Sequence, residues 1–136
     1  MAEDVSPKQA WQALLERPDA QLVDVRTDAE WSYVGLPDLS AANKRVLLVQ
    51  WQSFPTGAPN GRFVEQLGAS GVSRQHEIYF ICRSGARSLA AAELAEAAGY
   101  KQVFNVSDGF EGPHDADGHR GTVAGWKAEG LPWQQR

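Results

Sequence analysis

The sequence is poor in cysteine and contains no long apolar run. Its 136 residues include one cysteine, so no disulfide can form within the chain. Because nothing suggests export, we expect a cytoplasmic protein whose thiol stays reduced. No apolar run approaches the length of a membrane span, and the first residues, MAEDVSPKQ, are acidic and polar. We therefore expect neither a signal peptide nor a membrane anchor.

Positive charge is also scarce, with 13 Lys and Arg against 17 Asp and Glu and a net charge of −4. This balance argues against general nucleic-acid binding, so an anion site would have to be a local basic feature. Hydrophobic residues make up 43% of the chain, which is typical of a globular protein. The length suits one domain spanning residues 1–136.

Short apolar strands alternate with helical stretches along the chain. Strands are predicted at 21–25, 45–51, 77–81 and 102–106. Helices are predicted from Pro7 onward, over 28–34, after a cap at Asn60, and over 88–98. The alternation predicts an α/β fold with a mainly parallel central sheet and helices on both faces. Residues 107–125 have no clear pattern, and 112–125 is predicted to be an irregular insertion.

The single cysteine stands between the predicted strand EIYFI and the start of a helix, in the stretch CRSGARS. Ligands of open α/β sheets bind at the carboxyl ends of strands, where loop amides and the next helix begin. Amides and arginines there would stabilise a thiolate and attract an anion. Glycine lets the backbone curl so that N–H groups converge. The candidate nucleophile is Cys82, and the candidate binding residues are Arg83, Ser84, Gly85, Ala86, Arg87 and Ser88.

A lone cysteine after an apolar strand is often only a small buried hydrophobic residue. The two arginines and the glycine that follow Cys82 favour a nucleophile instead, since an inert thiol has no need of them. Ser88 is also a candidate cap for the helix.

Four stretches carry a family resemblance. The loop at 82–88 resembles the active-site loop of rhodanese-like sulfurtransferases. LVDVRTDAEW (22–31) resembles the family's strand end, and GYKQVFNVSDGFEG (99–112) resembles its glycine-phenylalanine-glycine signature. GWKAEGLPW (125–133) is similar to the usual end of the domain. Together these stretches span most of the chain from about residue 20 onward and imply a rhodanese-like fold.

The resemblance implies sulfur transfer through a persulfide on Cys82. A small anionic donor such as thiosulfate would give its outer sulfur to the thiolate, and sulfite would leave. A thiol, cyanide or protein acceptor would then take the sulfur. No cofactor and no metal are implied.

Two other functions use the same loop. Related cysteine phosphatases and arsenate reductases place five residues between cysteine and arginine, whereas four separate Cys82 from Arg87 here. The shorter loop suits one bound sulfur better than a tetrahedral phosphate. A non-enzymatic module that carries or senses sulfur, or docks a partner, is the alternative from another class.

Other polar residues have both a functional and a structural interpretation. Asp24, Arg26 and Glu30 are predicted to support the site, with Asp24 or Glu30 orienting Arg87 or Arg83. Structural ion pairs are the favoured interpretation.

His114 and His119 lie among aspartates, but the glycine and aspartate content predicts a solvated turn rather than a metal site. The family usually has a histidine in the stretch after Glu30, but this chain has none there. A tryptophan usually follows the glycine-phenylalanine-x-glycine stretch directly, and here Pro113 occupies that place. The matching tryptophan is predicted to be Trp126.

Overall fold

The computed structural model describes residues 2–135. The strands are β1 (Glu3–Val5), β2 (Ala20–Asp24), β3 (Leu36–Pro37), β4 (Leu47–Leu48), β5 (Glu77–Ile81), β6 (Gln102–Val106) and β7 (Trp133–Gln134). The α-helices are α1 (Pro7–Glu16), α2 (Asp28–Tyr33), α3 (Phe63–Ala69) and α4 (Ala86–Ala97). No helix within the described residues has the length and hydrophobicity needed to cross a membrane.

The central sheet has five strands in the order β1-β6-β5-β2-β4, and every neighbouring pair is parallel. Successive side chains of β5 point to opposite faces. Ile78 and Phe80 pack on α3 and α4, whereas Tyr79 and Ile81 pack on the side of α1. The sheet is therefore covered on both faces, and the predicted α/β architecture is confirmed.

Four strands depart from the sequence-based expectation. β1 was not predicted because its residues, Glu3–Val5, are largely polar, yet it pairs with β6 along the edge of the sheet. The strand predicted at 45–51 is reduced to Leu47–Leu48. Beyond that point the backbone still bonds to β2 and the residue after it, through Val49 N–H to the Asp24 carbonyl and Trp51 N–H to the Val25 carbonyl. β3 and β7 form a separate antiparallel pair.

The helix starts follow from capping chemistry. Ser6 caps α1 as predicted, and its side chain and that of Gln9 form a reciprocal capping box. Thr27 and Glu30 form a second box at α2. Asn60 does not cap α3, whose N-cap is Arg62. The helix predicted from Ser88 begins earlier, at Ala86, with Gly85 as its N-cap.

A fully buried ion pair ties β2 to the rest of the sheet's carboxyl edge. Arg26 donates to both carboxylate oxygens of Asp24, at 2.7–3.1 Å, and both side chains are 0% exposed. Its guanidinium also donates to the Gly35 carbonyl at 2.7 Å and lies 4.3 Å from the centre of the Phe110 ring. The pair thus joins the end of β2 to the corner after α2 and to the segment after β6.

This pair predicts an asymmetric response to mutation. Asp24→Ala leaves a buried arginine charge without its carboxylate and should lower the free energy of unfolding by about 3–5 kcal/mol. Replacing both partners, Asp24→Leu with Arg26→Met, should cost less, because no unpaired charge remains. Urea denaturation of the three proteins measures the difference. A double variant that is as unstable as the single one would show that the pair itself, and not the orphaned charge, determines stability.

Candidate active site

Cys82 directly follows β5 at the carboxyl edge of the central sheet. Asp24 ends the neighbouring strand β2, and Val106 ends β6 on the other side. Cys82 is only 2% exposed. Parallel strands bring their carboxyl ends to one edge, so the loop that begins at Cys82 has neighbours on both sides.

Two groups of the loop contact the sulfur. The Gly85 N–H donates to Cys82 Sγ with an N-to-S distance of 3.1 Å. The Ser88 hydroxyl lies 3.2 Å from Sγ, and geometry alone allows either atom to be the donor. Ser88 is therefore turned inward from α4 onto the sulfur, instead of capping the helix as the sequence suggested. Gly85 takes the cap position with a left-handed φ of +110°, a conformation that side chains with a Cβ rarely adopt.

The loop is held by hydrogen bonds from the backbone that follows β6. Phe110 N–H donates to the Cys82 carbonyl at 2.8 Å. Glu111 and Gly112 both donate to the Arg83 carbonyl, at 3.0 and 3.1 Å. A Cβ added at Gly85 would lie 2.2 Å from the Ser107 carbonyl oxygen, and one at Gly109 would lie 2.5 Å from the Arg83 backbone. The contact therefore requires glycine on both sides.

Arg87 forms a two-point ion pair with Glu30. Its Nη1 and Nη2 atoms donate to the two carboxylate oxygens at 2.7 and 2.9 Å, and each side chain is 20% exposed. Burial by itself would raise the Glu30 pKa. The hydrogen bonds and charge of Arg87, with those from Thr27, outweigh burial and lower the Glu30 pKa to about 2. Glu30 is thus a carboxylate that positions Arg87, whereas Asp24 is bound to Arg26.

Two adjoining cavities open over the loop. The inner one, about 270 Å³, is lined by Gln52, Cys82, Arg83, Ser84, Ala86 and Arg87. The outer one, about 500 Å³, shares Gln52, Arg83 and Arg87 with it and adds Phe54, Pro55 and Arg120. Three arginines and two glutamates, Glu30 and Glu111, line the outer cavity. A protein of net negative charge therefore has a local basic excess at this mouth.

The irregular segment 112–125 contributes to the mouth and is organised around one carboxylate. Asp115 accepts from the N–H groups of Asp117 and His119 at 2.9 and 2.8 Å, and from the Thr122 hydroxyl at 2.6 Å. Such bonds are those of a turn, as the composition predicted. Arg120 donates to the Gly112 carbonyl and lines the outer cavity. Residues 2–135 contain no group of three or more His, Cys, Asp or Glu side chains suited to hold a metal ion.

The structure brings most of the sequence-predicted site residues together. Five residues of the loop line the inner cavity, and the other two, Gly85 and Ser88, contact the Cys82 sulfur. Glu30 reaches the loop through Arg87. Asp24 and Arg26 form a separate buried pair. Sequence reasoning missed Gln52, Phe54 and Arg120, which come from loops without a motif. It also missed Asn105, although a polar residue at a core-facing position of a strand was a signal that a partner lay opposite.

The tryptophans serve mainly as packing residues. Trp126 is 0% exposed, meets Trp11 edge to face, and donates from its indole N–H to the Pro132 carbonyl. Trp31 is 6% exposed, and Trp51 packs edge to face on Phe63.

Comparison with known proteins finds a matching family model and several related proteins. A family model described as the STR4 middle domain matches residues 3–136. An uncharacterized protein of Rickettsia conorii is 38% identical over 133 residues, which cover 97% of both chains. The rice protein named THYLAKOID RHODANESE-LIKE is 33% identical over 130 residues, which cover 95% of this chain and 24% of that protein. A protein of Allochromatium vinosum named Sulfurtransferase is 24% identical over 132 residues, covering 97% of this chain and 94% of its own.

Solved structures agree with these relatives. The crystal structure of Rv0390 from M. tuberculosis is similar to this chain with a TM-score of 0.90 and 48% identity, covering 99% of this chain and 98% of its own. The polysulfide-sulfur transferase homodimer of Wolinella succinogenes has a TM-score of 0.68 and 27% identity, covering 99% of this chain and 80% of its own.

The close backbone contact at Gly109 can be tested with a matched pair of glycine-to-alanine mutations. Gly109 and Gly130 have similar φ values, +68° and +74°, but a Cβ at Gly130 meets nothing within 4 Å. Gly130→Ala should cost about 1–2 kcal/mol, the cost of the left-handed conformation alone. Gly109→Ala should cost about 3–4 kcal/mol, because its Cβ also strikes the loop backbone. Thermal or urea unfolding measures both, and equal losses would contradict the role of close backbone contact.

The Arg87–Glu30 pair predicts a defined acid sensitivity. The Glu30 pKa is lowered from its ordinary 4.5 to about 2, so the stability from the pair is complete above pH 4.5 and is lost as the pH falls towards 2. At neutral pH, Glu30→Gln should reduce the free energy of unfolding by about 1.5–3 kcal/mol. The gap between the two proteins should close within that pH window.

The control is Glu65→Gln, which removes the carboxylate of an exposed pair with Arg62. This change should have little effect at any pH, because exposed pairs contribute little. A gap between the parent and Glu30→Gln that stays constant from neutral pH down to pH 2 would contradict the assigned pairing.

Proposed function

The chain belongs to the rhodanese-like family, and from this premise we propose that it is a sulfurtransferase that carries sulfane sulfur on Cys82 as a persulfide. The observation that carries the proposal is the setting of the thiol. Cys82 lies at the small inner cavity, with the Gly85 N–H on its sulfur and with Arg83 and Arg87 in the wall. Donors placed in this way stabilise an anionic sulfur.

In the first step the Cys82 thiol gives its proton to solvent, and the thiolate attacks the outer sulfur of a donor such as thiosulfate. A bond forms between Sγ and that sulfur. The sulfur–sulfur bond of the donor breaks, and its electron pair leaves with sulfite. The total negative charge is unchanged, because thiolate and thiosulfate become a persulfide anion and sulfite. Cys82 thus acts as a covalent nucleophile.

In the second step the outer sulfur passes to an acceptor. A thiolate or cyanide attacks it, the sulfur–sulfur bond of the persulfide breaks, and its electron pair returns to Cys82 as a thiolate. One cysteine is sufficient, since each cycle regenerates it. No cofactor takes part in either step.

The cavities support a small anionic donor and a larger acceptor. The inner cavity of about 270 Å³ is small, so it suits a compact donor at the nearly buried thiol. The outer cavity of about 500 Å³ has arginines on its wall and an exposed apolar side chain, Phe54, which is 63% exposed. That combination suits an acceptor with both a negative charge and some apolar surface. The named relatives from Allochromatium vinosum and Wolinella succinogenes, a sulfurtransferase and a polysulfide-sulfur transferase, support the same chemistry.

The test is intact mass of the purified protein, measured before thiosulfate, after thiosulfate and again after cyanide. We expect a gain of one sulfur atom per chain that cyanide removes, with thiocyanate released. Cys82→Ser should gain nothing, because a hydroxyl stays protonated and holds no sulfane sulfur. A parent protein that gains no sulfur would refute the proposal.

Two further outcomes identify the alternatives. A stable sulfur that neither cyanide nor thiols remove would make the protein a carrier or sensor rather than a catalyst. Hydrolysis of an aryl phosphate by the parent protein, lost in Cys82→Ser, would favour a phosphatase and would show that the loop with four intervening residues does not exclude phosphate.

A further inference from the structure

A line of side-chain hydrogen bonds runs from the surface of the sheet to the Cys82 sulfur. Asp4 lies on the exposed edge strand β1 directly beside Asn105 on β6. The Asn105 Nδ2 donates to Asp4 Oδ1 at 3.0 Å. Asn105 Oδ1 lies 2.6 Å from the Ser88 Oγ, and Ser88 Oγ lies 3.2 Å from Cys82 Sγ. Asn105 is 3% exposed and Ser88 is 0% exposed.

The number of hydrogens determines the direction of each bond. An ionised carboxylate only accepts, so Asp4 requires the amide nitrogen of Asn105 on its side. The amide oxygen must then face Ser88. That oxygen has no hydrogen, so the bond of 2.6 Å uses the one hydroxyl hydrogen of Ser88. The Gly85 carbonyl lies 3.2 Å from the same hydroxyl and is the longer of its two oxygen contacts, so it does not take that hydrogen. Towards the sulfur Ser88 can then only accept, and the Cys82 S–H must be the donor.

We propose that Asp4, acting through Asn105 and Ser88, is a positioning residue that holds the Cys82 sulfur in the role of hydrogen-bond donor and so restrains its conversion to an anion. The proposal deepens the proposed function, because Cys82 is the nucleophile there. It is the fixed direction of the bonds, and not simply the charge of Asp4, that produces the restraint.

The restraint follows from what an anionic sulfur needs. A thiolate has no hydrogen and would face a lone pair of the Ser88 oxygen. For the hydroxyl to donate to the sulfur, its hydrogen must leave Asn105, which would put two oxygens 2.6 Å apart with no hydrogen between them. Turning the Asn105 amide over removes that conflict. It also places the amide oxygen against the Asp4 carboxylate, 3.0 Å away, which Asp4 opposes.

Asp4→Ala removes this opposition, so Asn105 can turn over and free the Ser88 hydrogen. The thiolate and the Gly85 carbonyl both lie 3.2 Å from that hydroxyl, and the charged sulfur is the stronger acceptor, so Ser88 donates to the thiolate. We expect alkylation of Cys82 by iodoacetamide at neutral pH to become about three- to tenfold faster, the factor that one net hydrogen bond provides. Cys82 is the only cysteine of the chain, so the alkylation rate reports on it alone. Asp4 is exposed on an edge strand, so the variant should keep the fold, as near-ultraviolet circular dichroism would show.

Two controls separate the relay from the loss of a charge. Glu3→Ala removes the same charge from the preceding residue. Glu3 pairs with Phe104, and its side chain is on the other face of the sheet. Its alkylation rate should stay near that of the parent. In a Ser88→Ala background, Asp4→Ala should no longer change the rate, because the link to the sulfur is missing. An equal increase in Glu3→Ala, or an increase that survives Ser88→Ala, would refute the proposal.

A second measurement does not depend on the Asp4 variant. The infrared S–H stretching band of the parent should lie at the lower frequency of a donating thiol and should move towards that of a free thiol in Ser88→Ala. A parent band already at the free position would refute the proposal. Neither measurement uses a sulfur donor. Failure of sulfur transfer therefore leaves the relay standing, and failure of the relay leaves the sulfurtransferase proposal standing.

Discussion

The site depends on a direct contact between two stretches of backbone. The loop that starts at Cys82 and the turn after β6 touch without side chains between them, and Gly85 and Gly109 are the residues that allow it. Amide groups of the turn bond to the carbonyls of Cys82 and Arg83. Because the loop is held by its backbone, its N–H groups and side chains remain available to the cavity. The Gly85 N–H reaches the sulfur for this reason.

Two arginine–carboxylate pairs stand near this contact and differ in burial. Arg26 and Asp24 are wholly enclosed, and the guanidinium lies over Phe110 in the turn that holds the loop. Arg87 and Glu30 lie at the cavity wall and keep some exposure. The buried pair therefore supports the scaffold, whereas the second sets the direction of a guanidinium that can face an anion. Removing water from a charge is costly, and the Asp24 carboxylate and the Gly35 carbonyl offset that cost at Nε and Nη2 of Arg26, whereas Nη1 has no hydrogen-bond partner among residues 2–135.

The side-chain hydrogen bonds from Asp4 through Asn105 and Ser88 connect the exposed edge of the sheet to the buried Cys82 sulfur. A buried hydroxyl has one hydrogen, and whichever acceptor binds it determines what the hydroxyl offers on its other side. In our proposal a surface carboxylate makes that choice through one amide. Buried networks of this kind have few alternative arrangements, because each unmatched polar atom costs free energy.

Local sequence determined the periodic elements and the chemistry of the loop. The strands at 77–81 and 102–106, the cap at Ser6 and the motif from Cys82 to Ser88 are all consequences of residues close in the chain. Whether Asp24 or Glu30 would bind Arg87 could not be read in this way, because the answer depends on how α2 packs against the start of α4. Local sequence also did not predict β1, whose residues are largely polar and which is a strand because it pairs with the edge of β6. The same holds for Ser88, whose side chain turns inward to the Cys82 sulfur. Tertiary structure decided these points, since each joins residues that are far apart in sequence and only the folded sheet brings them within hydrogen-bond distance.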